Sequence, residues 1–103
     1  MHRMIVLYPF PEDPAAFLAH YQDTHASLVL QLQGLRDFRY GKTPPLGAGE
    51  RPYDLIAHLD FDDEASMMAA MTSEHGQCVA ADVPNSSPGG ATILHQHLTV
   101  PGR

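Results

Sequence analysis

The residue best placed to do chemistry is His25. It falls on the apolar face of an amphipathic run from Asp13 to Leu32. At about 100° per residue, Phe17, Leu18, Tyr21, Leu28, Val29 and Leu32 share one arc of roughly 120°, and His25 lies inside it. An imidazole set among apolar neighbours must find a hydrogen-bond partner or face a cavity. Tyr21 lies one turn earlier and is its neighbour by helix spacing alone. Such a pair can move a proton to or from a small, mostly apolar substrate. Tyr8 and Tyr40 add phenolic hydroxyls and His58 a second imidazole, provided their strands turn the right face to this helix. The expected ligand site is therefore Tyr8, Tyr21, His25, Tyr40 and His58, with His25 the candidate catalytic group. Met67, Met68 and Met71 would supply a pliable apolar wall. The competing reading is a structural histidine bonded to a carbonyl or carboxylate in the core.

Other reactive residues form weaker patterns. His95 and His97 are two apart on a strand and point to one face, a spacing that can bind a metal, but no third ligand is near them in sequence. No metal and no bound cofactor are expected. Cys78, the one cysteine, has only His75 as a basic neighbour and reads as a core thiol. Asp60, Asp62, Asp63 and Glu64 read as helix capping. No glycine-rich phosphate loop, serine elbow or haem-attachment motif is present.

The elements that must position these groups follow from pattern. Met4–Tyr8 is a short apolar run, a strand buried on both faces and ended by Pro9 and Pro11. Asp13 caps the first helix, Pro14 suits its first position, and Gly34 stops it. Leu35–Tyr40 alternates, with Phe38 and Tyr40 on one side and Asp37 and Arg39 on the other, as an edge strand does. Residues 42–52 form a proline- and glycine-rich loop. Tyr53–Phe61 alternates again, with Tyr53, Leu55, Ala57, Leu59 and Phe61 opposite Asp54, Ile56, His58 and Asp60. Asp62 caps a second helix whose body, Ala65–Thr72, is apolar nearly all round and should be little exposed. A short helix over Ser73–Val83, weakened by Gly76, and a last strand over Ala91–Val100 complete the series.

This order is the split βαβ pattern of a ferredoxin-like α+β sandwich, an antiparallel sheet with helices on one face. Its 103 residues fit a single domain, 1–103, and apolar side chains on the bare sheet face call for a homodimer. Twelve acidic against six basic residues, a net charge of −6, argue against nucleic acid. No apolar run approaches a membrane span, and the N-terminus does not read as a signal peptide, so a cytoplasmic protein is expected.

Three stretches carry a family likeness. The first is Val6-Leu7-Tyr8-Pro9 with Glu12-Asp13-Pro14 and Phe17. Tyr21, Thr24-His25 and Leu28 follow, leading to Gly34-Leu35-Arg36 and Phe38. The third is Gly76-Gln77, then Ala80-Ala81-Asp82-Val83-Pro84-Asn85, then Gly89-Gly90. Together they resemble the EthD family, named for a protein linked to ethyl tert-butyl ether degradation. His25 matches its threonine–histidine motif, whereas Ser27 stands where many members carry proline. The resemblance implies a dimeric α+β barrel. It also implies a role in the oxidative breakdown of a small organic compound, as an accessory protein or as an oxidoreductase without a bound cofactor. Related barrels include cofactor-free monooxygenases and isomerases, so the alternatives are a proton-transfer enzyme using His25 or a non-catalytic binding module.

Overall fold

The computed structural model describes residues 1–49 and 51–102. Four strands form one antiparallel sheet: β1 (His2–Tyr8), β2 (Asp37–Lys42), β3 (Leu55–Phe61) and β4 (Thr92–His97), in the order β2-β3-β1-β4. Helices α1 (Pro14–His20) and α2 (Ala26–Leu30), joined by one π turn (Tyr21–His25), follow β1. Helices α3 (Glu64–Thr72) and α4 (Glu74–Ser86) lie between β3 and β4. This is the ferredoxin-like α+β arrangement that the alternating strands predict, with the two-faced β2 at an edge.

Strand register decides which side chains meet the helices. Met4 pairs with Leu59, Val6 with Ala57 and Tyr8 with Leu55. Phe38 pairs with Leu59 and Tyr40 with Ala57. Side chains alternate along a strand, so all of these lie on the helix side of the sheet. They meet Phe17, Tyr21, Val29, Leu32, Met67, Ala70 and Val79 in one core. Each fully buried large apolar side chain there contributes about 1.5–3 kcal/mol.

The opposite face carries Ile5, Leu7, Ile56 and Leu94, beside the Arg3–Asp60 ion pair at 2.8 and 3.0 Å. In the single chain Ile5, Leu7 and Ile56 are only half-buried and Leu94 is exposed, so β1 is buried on one face rather than on both.

Several local expectations shift. The second helix is capped by Asp63, whose side chain accepts from the Ser66 amide, and not by Asp62, which pairs with Arg36. That helix is wetter than its composition suggests: Met67 and Ala70 are buried, but Met68 is 47% exposed. A two-helix layer can cover only one side of α3. The helix after it runs on through Pro84 to Ser86. Gly76, a weakening residue by helix propensity, permits α4 here. A Cβ there would overlap the Ala70 carbonyl oxygen and come within 2.7 Å of the Met71 backbone. The absence of a side chain lets α4 start against the end of α3. His75 then donates to the Leu28 carbonyl at 2.7 Å, fixing α4 to the end of α2. Cys78 is exposed, not a core thiol. The last strand ends at His97, and the Leu98 amide bonds to Met1.

Candidate functional site

The buried residues of the first helical segment, Phe17, Tyr21, His25 and Val29, recur at intervals of four. In a plain α-helix each such step drifts about 40° round the axis, so three steps spread the row over about 120°. The backbone corrects the drift with one wider turn: the Ala26 amide bonds back five residues to Tyr21, while dihedrals stay helical on both sides. That turn also brings His20 and His25 to the same side. Five residues of α-helix would set them about 140° apart, and the wider turn reduces that angle.

Both imidazoles converge on Asp82 of α4. His25 Nδ1 lies 2.9 Å from Asp82 Oδ2, and His20 Nε2 lies 3.0 and 3.1 Å from the two carboxylate oxygens. Asn85, one turn further on, donates to Oδ1 at 3.0 Å. Burial works to raise the Asp82 pKa, but the bonds from Asn85, His25 and His20 outweigh it and hold the carboxyl below its usual range. An ionised carboxylate only accepts, so His25 carries a proton on Nδ1 and donates it to Asp82. In the neutral ring the Nε2 lone pair then faces the Tyr8 hydroxyl, 3.4 Å away. Asp82, His25 and Tyr8 form a chain of hydrogen-bonding groups running from helix to sheet.

Tyr21 completes the cluster. Its ring centroid lies 5.2 Å from His25, 5.4 Å from Tyr8 and 4.9 Å from Tyr40. Tyr8, Tyr21, His25 and Tyr40 are thus brought together. His58 is not: it pairs with Ile5 on the opposite face of the sheet, so its ring cannot reach the cavity. Of the three methionines only Met71 lines that cavity, since Met67 sits in the core and Met68 points to solvent. Asp82, His20 and Asn85 are the members that sequence reasoning missed. Their signals were the five-residue spacing of the histidines and the acid–amide pair within Asp82–Asn85.

The cavity beside Tyr8, Tyr21 and His25 is about 40 Å³, walled by Val6, Met71 and Val83 and reached at β4 by Ile93. It has room for water and must open to admit an organic molecule. A wider cleft of about 750 Å³ lies between the 9–13 loop and residues 85–89. It shares Asn85 and Phe17 with the surroundings of the cluster but holds no imidazole or phenol.

Burial raises the Tyr8 pKa to about 12, with the nearby Asp82 charge adding to it and a hydrogen bond with Tyr21 opposing. Burial also raises Tyr21, helped by Tyr8 and Tyr40. Both therefore stay protonated donors at ordinary pH. Above the ordinary phenol value of 10.0 the unfolded chain loses the Tyr8 proton while the folded chain keeps it, so stability falls as pH rises through 10 to 12. The expected loss from Tyr8 is about 2–3 kcal/mol. Thermal melts between pH 9 and about 12 should record it, with a shallower decline in Tyr8→Phe.

A family model for the EthD domain matches residues 11–86. The chain belongs to the EthD family. An ethyl tert-butyl ether degradation (EthD) family protein of Bacillus halodurans is 30% identical, with a TM-score of 0.89 covering 96% of this chain and 99% of that one. A Rhodococcus erythropolis protein, described as an uncharacterized 11.0 kDa protein of the thcB–thcC intergenic region, is 38% identical over 94 residues, 91% of each chain. A dimeric ferredoxin-like protein of unknown function from Thermobifida fusca shares the fold at 19% identity, TM-score 0.69, covering 94% of this chain and 90% of that one. This EthD chain has no helix, among the described residues, long and apolar enough to cross a membrane.

Proposed function

We propose that this EthD protein binds a small, mostly apolar organic compound beside His25 and takes part in its oxidative breakdown, with no bound cofactor. The observation that carries the reading is the buried imidazole held between Asp82 and Tyr8 at the wall of an apolar cavity. Asp82 fixes the tautomer, so Nε2 is the atom that would take a proton from an acidic C–H or O–H group, and Tyr8 and Tyr21 would donate to a developing oxyanion. Met71, unbranched and half-buried, is the wall residue best able to move aside. The role in degradation rests on likeness to an ethyl tert-butyl ether degradation family member.

The assembly in this reading is a homodimer closed over the bare sheet face. Ile5, Leu7, Ile56 and Leu94 form an apolar patch there, and the buried His58 Nδ1 has no partner among the described residues. The exposed thiol of Cys78 suits a reducing cytoplasm.

A second reading is favoured by the size of the cavity: His25 as a structural link in a non-catalytic binding module. One variant separates the two. His25→Gln keeps polarity at similar size. Under the first reading it abolishes thermal stabilisation by small phenols, ethers and cyclic ketones that stabilise the native chain, with little change in the ligand-free melting temperature. A melting temperature lowered by several degrees, with ligand response intact, would retire His25 as the site.

A further inference from the structure

At the far end of β1 the fold assembles a second group of side chains that sequence spacing could not join. His2 opens β1, His95 lies near the end of β4, and Glu64 begins α3 just after its cap Asp63. Their ligand atoms, a ring nitrogen from each histidine and a carboxylate oxygen, all lie within 4.8 Å of one another. We propose that His2, Glu64 and His95 form a divalent transition-metal site that takes Zn(II), with water in the fourth position. The site goes beyond the function proposed above. It is independent of His25, since six residues of strand put Tyr8 about 20 Å from His2.

Three features argue for a metal in place of a chance cluster. His2 is 4% exposed, and the atom it aims at is another imidazole nitrogen, His95 Nδ1, 2.8 Å away. Two neutral imidazoles can share one proton there, but two ring nitrogens this close with a carboxylate alongside also make a zinc donor set. Secondly, the donors stand on fixed backbone. The strands are locked in the register His2 to His97 and Met4 to His95, and the Leu98 amide bonds to the Met1 carbonyl at 2.9 Å beside them. The Ser66 amide holds the Asp63 cap and so sets where Glu64 begins its helix. Thirdly, the required adjustment is small. Tetrahedral Zn–N bonds of about 2.0–2.1 Å place two nitrogens about 3.3 Å apart, so the rings must part by about half an ångström while the carboxylate closes in. Glu64 and His95 are exposed and can make that movement.

Two imidazoles and one carboxylate form a borderline set that suits zinc better than calcium or magnesium, which prefer oxygen donors. Bound there, the ion would tie the start of β1, the end of β4 and the start of α3. The sequence expectation of a metal-free chain paired His95 with His97 and read Glu64 as helix capping; the fold instead brings His2 and Glu64 to His95.

Chelator-treated full chain titrated with zinc chloride in a calorimeter should bind one Zn(II) per chain. Zinc should also raise its melting temperature by several degrees. His95→Ala and Glu64→Gln alter exposed side chains, so they should stay folded, and each should weaken binding at least about tenfold and remove the thermal response. Cys78→Ala should bind as the native chain does, because its thiol lies outside the group. Substitution of Co(II) should give the visible absorption of a tetrahedral ion, lost in His95→Ala. The proposal is overturned by no binding at about 100 µM zinc, by binding that survives both ligand variants, or by binding lost in Cys78→Ala.

Discussion

Asp82→Ala is expected to lower stability by about 3 kcal/mol, because it strands His20, His25 and Asn85 around a buried vacancy. For a chain of this size that corresponds to a fall in melting temperature of roughly 12–24 °C. The loss has a pH signature. The carboxyl is held below its usual range when folded, so its contribution is present above the ordinary aspartate value and disappears as pH falls through the depressed one. Native chain and variant should therefore converge in strong acid, and melts from pH 7 downward would measure it. Asp82→Asn is the informative companion. It keeps the shape but can no longer act as acceptor at both oxygens, so it should recover part of the stability without restoring the His25 tautomer. A loss under about 1 kcal/mol in Asp82→Ala would mean that the cluster is solvated and its bonds contribute little.

Gly76→Ala should be comparably severe. Helix propensity alone would predict a gain of up to about 1 kcal/mol, since alanine replaces glycine inside α4. The added methyl would overlap the backbone of Ala70 and Met71, which cannot rotate away as a side chain could. Separating α3 from α4 would disturb Val79 and the path of α4 towards Asp82. The expected net effect is a loss of about 2–3 kcal/mol. Gly89→Ala, where the nearest atom is the Pro9 side chain at 3.9 Å, is the control and should be nearly neutral. Denaturant unfolding of both variants decides the matter. A neutral Gly76→Ala would show that the helix pair has slack.

The order of elements was legible because alternation in Tyr53–Phe61 and the Asp13–Pro14 cap are local signals with local causes. Tyr8, Tyr21, His25 and Tyr40 could be nominated from residue type and spacing. What escaped depended on a backbone variation or on distance along the chain. Phe17, Tyr21, His25 and Val29 at a strict spacing of four also fit a plain helix with an arc of about 120°, so nothing local marks the wider turn that draws them into line. Asp82 lies 57 residues from His25 and gave no periodic cue. His58 required knowledge of which face β3 presents, and that is fixed by pairing with β1, not by β3 itself. His2 and Glu64 stand 93 and 31 residues from His95, and no local pattern joins them.

Strand β1 has a consequence for how the molecule can fail. His2 and Tyr8 lie at its two ends and on the same side, with Met4 and Val6 between them. A slip of one residue against β3 would turn all four towards the bare face and bring Arg3, Ile5 and Leu7 beneath the helices. Both clusters would vanish together, and a guanidinium would enter the core. Pairing on either side makes such a slip costly, and the paired ends of β1 and β4 resist it at one extreme. Changes that loosen the first residues of the chain are thus expected to be felt at the tyrosines as well, carried by alignment along a single strand.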